Sequence, residues 1–146
     1  MSEYTKHLTP RPELRERIIE TAVKAFAAQG IKSITMDDIA TSLGISKRTL
    51  YEVFPDKETL LEECILRGQK EGDEYLKNVL ATSENVLEVL LKCYQRSIEK
   101  FHATNKKFFE DIKKYPKAYK LMTKRHDQDS EETVNFFKEG VKQGLS

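Results

Sequence analysis

The sequence predicts an all-α protein, and three observations support this fold class. Apolar residues recur at spacings of three and four over most of the chain, which is the period of a helix packed on one side. No stretch shows the alternation of apolar and polar residues that is typical of half-buried strands. The four prolines and six glycines are few, and several stand where a helix would begin or end. We therefore expect a three-helix head joined by a long connector helix to a helical body.

The composition of the 146-residue chain excludes several classes of function. Its net charge of +1 gives no overall basicity that would indicate nucleic acid. It has no long apolar run and no secretory signal, so we expect a cytoplasmic location and no membrane partner. Cys64 and Cys93 lie on helical patterns far apart in sequence and are expected to be buried free thiols. No zinc signature, phosphate-binding loop or nucleophile motif occurs, so we expect no cofactor and no enzyme.

The first predicted helix begins at the prolines at positions 10 and 12, which are tolerated in a first turn. It ends near Gln29, because Gly30 follows at the position where a left-handed stop is common. Its apolar face is expected to consist of Leu14, Ile18, Ala22, Ala25 and Phe26.

The stretch from 34 to 53 predicts two short helices joined by a tight turn. Thr35 is a good N-cap, and Asp38 three residues later makes a variant of the capping box. Gly44 stands where the first of the two helices should stop, and Ser46 can cap the second helix, 47–53. We interpret this stretch as a helix-turn-helix within a DNA-binding domain that spans 1–56.

The second short helix is too short to be stable alone and must be held by burying Ile45, Leu50 and Phe54. Burial of those residues leaves cationic, hydroxyl and phenol groups on the other side of the helix. A helix with this division is what reading a DNA major groove requires. The exposed groups are expected to be Lys47, Arg48, Thr49 and Tyr51.

A long connector helix is predicted after Asp56, which can cap a helix that starts at Lys57 and continues to about Leu80. Gly68 and Gly72 weaken its middle and allow a bend or close helix packing there. We assign 57–146 to a helical ligand-binding and regulatory domain.

Three more helices are predicted in this second domain. Ser83 is expected to cap a helix that ends near Phe101 and has the clearest amphipathic pattern in the chain. Asn105 can cap a short helix that ends before Pro116, and a last helix runs from there toward Gly140. The apolar residues expected on the inner face of the amphipathic helix are Val86, Leu87, Leu90, Leu91, Tyr94, Ile98 and Phe101.

Aromatic and polar side chains of the body are candidates for lining a ligand pocket, although aromatic stripes at helical spacing can equally be core. Tyr94 and His126 are the stronger candidates, because a buried phenol or imidazole needs a partner. The candidate ligand-binding residues are Tyr75, Tyr94, Phe101, Phe109, Tyr119, Met122 and His126.

Charge is distributed unevenly. Residues 1–64 hold nine Lys/Arg and eleven Asp/Glu, so the expected DNA-binding head is slightly acidic. Residues 100–125 hold nine Lys/Arg against two acids. This basic run is interpreted as a solvated helix face, with a pocket for an anionic ligand or a second nucleic-acid or membrane surface as alternatives.

With these motifs located, residues 14–64 resemble the N-terminal domain of the TetR family of bacterial transcriptional regulators. The resemblance is carried by IIETAVKAFAAQGIKSITMDDIA, by the turn LGISKRTLY and by FPDKETLL. The family pattern has Thr-x-x-x-Ile-Ala, a Gly-Val/Ile-Ser turn, Thr-Leu-Tyr and Phe-x-x-Lys-Glu-x-Leu, and each part is present here at the same spacing.

The resemblance implies a homodimeric regulator, expected to be a repressor, that places one short helix per protomer in a palindromic double-stranded operator. It also implies a body that binds a small-molecule effector and thereby releases DNA. By the same resemblance, Arg48 would make a bidentate contact to guanine, and Thr35 and Lys57 would contact phosphates. The remaining phosphate and base-edge contacts would be shared by Ser46, Lys47, Thr49 and Tyr51.

Three departures from the family pattern stand out. Val53 replaces the Tyr or His of many relatives, so a phosphate donor is lost or a contact to a thymine methyl is gained. Glu52 is expected to pair with a neighbouring cation rather than face DNA. Relatives continue for two more helices that form most of the dimer interface, so the second domain is expected to be incomplete. An alternative is a ligand-binding or protein-interaction module that keeps the head as a scaffold without operator binding.

Overall fold

The structure is a computed structural model that describes residues 11–144, and within these residues it contains only helices and their connections. The all-α prediction is confirmed. No helix in this range has both the length and the apolar composition needed to cross a bilayer. The helices are α1 (Arg11–Gln29), α2 (Met36–Leu43), α3 (Lys47–Val53), α4 (Lys57–Thr82), α5 (Val86–Ala103), α6 (Lys106–Asp111), a 3-10 helix (Ile112–Lys114) and α7 (Pro116–Lys142).

The predicted helix signals of the head are present. The Thr35 hydroxyl accepts a bond from the Asp38 amide at 3.1 Å, and the Asp38 carboxylate accepts one from the Thr35 amide at 2.8 Å. These reciprocal bonds form the capping box that starts α2. Gly44 ends α2 in the left-handed conformation with a φ of 68°, and Ser46 and Asp56 cap α3 and α4.

One hydrophobic core joins the head to the start of the body. Its centre contains the fully buried side chains of Ile18, Leu50 and Leu60, which come from α1, α3 and α4. Cys64 and Ile65 of α4 and Ile112 and Ala118 of the body belong to the same cluster. The core therefore crosses the expected boundary between 56 and 57, and the division into two domains stays a prediction.

The end of α1 rests directly on α6. The Asn105 amide donates to the Ala27 carbonyl at 2.7 Å, and the Lys32 amide donates to the Asp111 carboxylate at 2.9 Å. Gly30 has a φ of 84°, and a Cβ placed on it would lie 2.7 Å from the Lys107 Cβ. Glycine is therefore required here both for the backbone conformation and for the close approach of the two helices.

One detail of the body differs from the sequence prediction. Asn85, and not Ser83, caps α5, because its side-chain oxygen accepts from the Glu88 amide while Glu88 bonds back to the Glu84 amide. Ser83 instead ends α4. The helix α4 runs from Lys57 to Thr82 without interruption, in agreement with the predicted connector helix.

The apolar face of α5 was expected to be buried, and most of it is not. Val86 and Val89 are buried and Leu90 is half-buried, but the other side chains of the stripe are exposed to solvent. The reason is that α5 packs mainly against α4, which covers only one side of it. The exposed residues of this apolar face are Leu87, Leu91, Tyr94, Ile98 and Phe101.

Candidate nucleic-acid interface and body cavity

The short helix α3 is held from behind and open in front. Leu50 is completely buried and Phe54 nearly so, and both belong to the head core. On the opposite side, the Arg48 side chain is 91% exposed and Tyr51 is also exposed. Burying one side against the core stabilises a helix that would not form alone, and the other side remains available to a partner.

The cations of α3 form only surface ion pairs. Lys47 Nζ lies 3.0 Å from an Asp37 oxygen, and Arg48 Nε lies 3.5 Å from Glu52. Glu52 also accepts from the Arg11 guanidinium at 2.6 Å, so its predicted pairing with neighbouring cations is confirmed. Exposed pairs of this kind contribute about 0–1 kcal/mol, so a phosphate or a base can compete for these cations.

The hydroxyl groups of the turn are used in capping but are still accessible. Ser46 Oγ accepts from the Thr49 amide at 3.1 Å, and the two hydroxyls lie 2.9 Å apart. Thr35 is exposed at the start of α2, where its hydroxyl oxygen accepts a bond and its O–H can still donate. These positions are where helix N-termini favour an anion.

Val53 is half-buried and packs against the head core. Only part of the side chain is therefore available to a partner, and both expectations for this position stay predictions.

Lys57 differs from the other predicted contact residues. Its ammonium donates to the Ile31 carbonyl at 2.5 Å and lies 5.7 Å from the centre of the Tyr115 ring. Partial burial lowers its pKa, which the carboxylates of Asp111 and Asp38 partly oppose. In this structure the Lys57 ammonium is therefore hydrogen-bonded within the protein, at the junction of head and body, and does not point outward to where a phosphate is expected.

The body encloses a wide, open cavity of about 870 Å³, within the range usual for ligand sites. Helices α4, α5, α6 and α7 form most of its wall. Five of the seven predicted ligand residues lie on that wall: Tyr75, Phe101, Phe109, Met122 and His126.

Two predicted ligand residues do not line this cavity. Tyr94 was favoured because a buried phenol would need a partner, but its side chain is 64% exposed on the outer side of α5. Tyr119 is also exposed and lies outside the cavity wall. Helical spacing alone could not show that Tyr94 and Tyr119 would lie outside the cavity, because the sequence does not show which helices pack against each other.

The cavity wall also contains charged residues that the sequence analysis did not select. The Arg96 guanidinium lies 4.9 Å from the centre of the Tyr75 ring, and Lys100 follows one turn later on α5. Arg125 pairs with Asp73 and, at 2.8 Å, with Asp129. The four-residue spacing of Arg96 and Lys100 was a signal that these two cations share one face of a helix.

Both cysteines are free thiols, as predicted, and lie on the cavity wall; Cys64 is buried as expected, whereas Cys93 is only half-buried. Burial raises the pKa of Cys64 to about 12, and partial burial raises the pKa of Cys93. Both groups are therefore protonated near neutral pH and are poor nucleophiles and metal ligands. No cluster of three potential metal ligands is present between residues 11 and 144.

The sequence of the head matches a known family. Residues 18–64 match the model of the bacterial regulatory proteins of the tetR family. The chain is 32% identical over 72 residues to IcaR of Staphylococcus aureus, the negative transcriptional regulator of the biofilm operon icaADBC. It is 32% identical over 101 residues to the HTH-type transcriptional regulator YhgD of Bacillus subtilis. The matches cover 49% and 66% of this chain but only 37% and 52% of the two relatives, so the chain spans about half of their length or less.

Solved structures match over most of the chain. A transcriptional regulator from Saccharomonospora viridis in complex with choline has a TM-score of 0.79 and 25% identity, and the match covers 91% of this chain and 72% of that one. GusR of Salmonella enterica has a TM-score of 0.75 with 23% identity, which shows a shared fold, and the match covers 94% of this chain and 73% of that one. IcaR and YhgD are transcriptional regulators and not enzymes.

Proposed function

The chain belongs to the TetR family of bacterial regulatory proteins, and we propose that it is a cytoplasmic transcriptional repressor that binds operator DNA through α3. The observation that carries this proposal is the arrangement of α3, with Leu50 buried behind it and Arg48 exposed in front. The similarity to IcaR, a negative regulator, supports repression as the sign of regulation.

In the proposed complex, Arg48 donates two hydrogen bonds to one guanine, which is worth about 1–3 kcal/mol of discrimination between bases. The hydroxyls of Thr35, Ser46 and Thr49 and the side chains of Lys47 and Tyr51 share phosphate and base-edge contacts. Lys57 has a supporting role, because its bond to Ile31 holds the segment that precedes α2.

We further propose that the operator is palindromic and is bound by a homodimer. Two copies of α3 related by a two-fold axis would read the two half-sites. The exposed apolar residues of α5, including Leu87 and Leu91, support self-association, because contiguous apolar surface is usually covered in the working assembly.

An effector in the body cavity is proposed to control DNA binding. The α6 wall of the cavity carries Phe109, and the same helix is bonded to the end of α1 through Asn105. Any ligand that shifts α6 would therefore shift the support of the head. The choline complex of the Saccharomonospora viridis relative is consistent with a small-molecule effector.

The DNA-binding proposal is tested by a gel shift with the DNA that flanks the chain's own coding region. We expect Arg48→Ala to weaken specific binding by about 10-fold or more, because one bidentate base contact is lost. Lys124→Ala, which removes an exposed charge from α7, is the matched control and should bind as the wild type does. Binding should also fall steeply with salt, because phosphate contacts release counterions. Full affinity of Arg48→Ala at moderate salt would overturn the role of Arg48.

A second candidate is a ligand-binding or protein-interaction module that keeps the head as a scaffold. The excess of acids over bases in residues 1–64 favours it, since a polyanion is not attracted to an acidic surface. The same gel shift separates the two functions. If the dimer does not shift any of the flanking DNA fragments at low salt, the result would support the ligand-binding or protein-interaction module.

A further inference from the structure

Two cations stand one helical turn apart on the α5 wall of the body cavity. The Arg96 guanidinium is stacked on the Tyr75 ring at 4.9 Å, and the Tyr75 hydroxyl donates to the Lys92 carbonyl at 3.2 Å. Stacking on a ring that is itself held by a hydrogen bond orients the guanidinium. Its N–H edges remain available to an acceptor in the cavity.

These two cations lack the carboxylate partners that the other cavity arginine has. Arg125 is neutralised by Asp73 and Asp129, whereas in residues 11–144 no carboxylate forms an ion pair with Arg96 or Lys100. Partial burial lowers the pKa of Lys100, the Arg96 charge lowers it further, and the Glu71 carboxylate opposes this shift. An anion placed between the two cations would offset both unfavourable effects.

The surroundings of the two cations are mostly apolar. Leu76 and Val89 lie on the walls formed by α4 and α5, and Phe109 and Met122 lie on those formed by α6 and α7. Gly72 of α4 lies beside the guanidinium, since a Cβ built on it would be in ordinary contact with Arg96 Nη1 at 3.6 Å. The cavity wall thus combines these two cations with apolar side chains from four helices.

We propose that the effector is an organic acid with an apolar body, whose carboxylate is bound by Arg96 and Lys100. This inference rests on the effector site proposed above and specifies the chemistry of its ligand. A carboxylate accepts two N–H bonds from one guanidinium, and the neighbouring ammonium adds a third. The apolar body of the acid then replaces water along the walls formed by α4, α6 and α7.

The test is isothermal titration of the full chain with octanoate, 4-phenylbutyrate, 1-octanol and octyltrimethylammonium. We expect at least one of the two acids to bind, and to bind about 10-fold or more tightly than the alcohol and the ammonium, because charge-assisted hydrogen bonds are lost without the carboxylate. Arg96→Gln and Lys100→Gln should each weaken acid binding by a similar factor and leave the helical circular dichroism unchanged. Arg96→Lys should restore part of the affinity, and the exposed Lys113→Gln should have no effect.

The proposal is overturned if neither acid binds, if the alcohol or the ammonium binds as tightly, or if both glutamine variants bind the acids like the wild type. Octyltrimethylammonium also tests the opposite chemistry, since Glu132 lies on the same cavity wall. Titration of the ligand and the gel shift are independent measurements. Acid binding without any operator binding would therefore reject the proposed repressor and leave this inference standing.

Discussion

At the scale of single residues, each of the helices α2, α3 and α4 depends on one side chain at its N-terminus. Thr35, Ser46 and Asp56 each accept a hydrogen bond from the amide three residues later. Such a cap contributes about 1 kcal/mol, which is a large share of what a helix of seven or eight residues has to gain. Two of the three residues, Thr35 and Ser46, also place hydroxyl groups at the proposed DNA surface, so stability and recognition draw on the same side chains there.

The capping box of α2 should make the stability of the protein depend on pH. The Thr35 amide and hydroxyl lower the pKa of Asp38 below its ordinary value of 3.8. A lowered pKa in the folded state stabilises the fold above the unfolded-state pKa, and this contribution is lost as the pH falls through the folded-state pKa. We expect Asp38→Asn to lower the Tm at neutral pH, with a difference from wild type that shrinks as the pH falls below the ordinary carboxyl value of 3.8. Thermal unfolding followed by circular dichroism checks this.

The control for Asp38→Asn is Asp37→Asn, which removes an exposed charge outside the capping box. A Tm difference for Asp38→Asn that is the same in acid and at neutral pH would show that the charge of Asp38 does not matter.

At the scale of helices, two glycines have opposite requirements. Gly30 ends α1 with a φ of 84° at the place where the helix touches α6. Gly68 lies inside α4, and a Cβ built on it would have no atom within 4 Å. A glycine inside a helix costs about 1 kcal/mol relative to alanine, so Gly68 is unfavourable for α4. Its lack of a side chain instead enlarges the cavity, whose wall it joins.

We expect Gly68→Ala to raise the free energy of unfolding by about 0.5–1 kcal/mol. Gly30→Ala should lower the free energy of unfolding by more than about 1 kcal/mol. A φ of 84° is strained for alanine, and the new Cβ would lie 2.7 Å from the Lys107 Cβ. Urea unfolding of the two variants, compared with the wild type, provides the measurement. If both substitutions change the free energy of unfolding in the same direction, the requirement for glycine at the junction between α1 and α6 would be contradicted.

At the scale of the whole molecule, the exposed apolar face of α5 is the feature that most needs a partner. Leu87 and Leu91 are more than half exposed, while the neighbouring Val86 and Val89 are buried. Apolar groups that remain in water favour association, at about 25 cal/mol for each Å² that is covered.

We expect the full chain to form a dimer in solution whose mass, measured by light scattering, falls toward that of the monomer at higher dilution. Leu91→Gln should shift the equilibrium toward the monomer without changing the helical content, because it makes the apolar face polar. The matched control is Leu66→Gln on α4, an exposed leucine outside this face. A monomeric wild type at all concentrations would remove the support for the homodimer.

Much of the head could be predicted from sequence because its signals are local. The caps at Thr35 and Asp56, the left-handed Gly44 and the pairing of Glu52 with Arg48 each involve residues four or fewer positions apart. The ligand residues were predicted less well. Tyr94 and Phe109 both belong to apolar patterns at helical spacing. The packing of their helices places Phe109 on the cavity wall and leaves Tyr94 exposed on the outer side of α5.

The sequence by itself determined the helices, the caps of α2, α3 and α4 and the residues presented by α3, because hydrogen bonds within one or two helical turns decide these features. Only the tertiary structure decided where Lys57 points, since its acceptor Ile31 lies 26 residues away. It alone brought Arg96 over Tyr75 and left one side of α5 uncovered. Such features depend on which helices become neighbours, and that is set by the packing of residues distant in sequence.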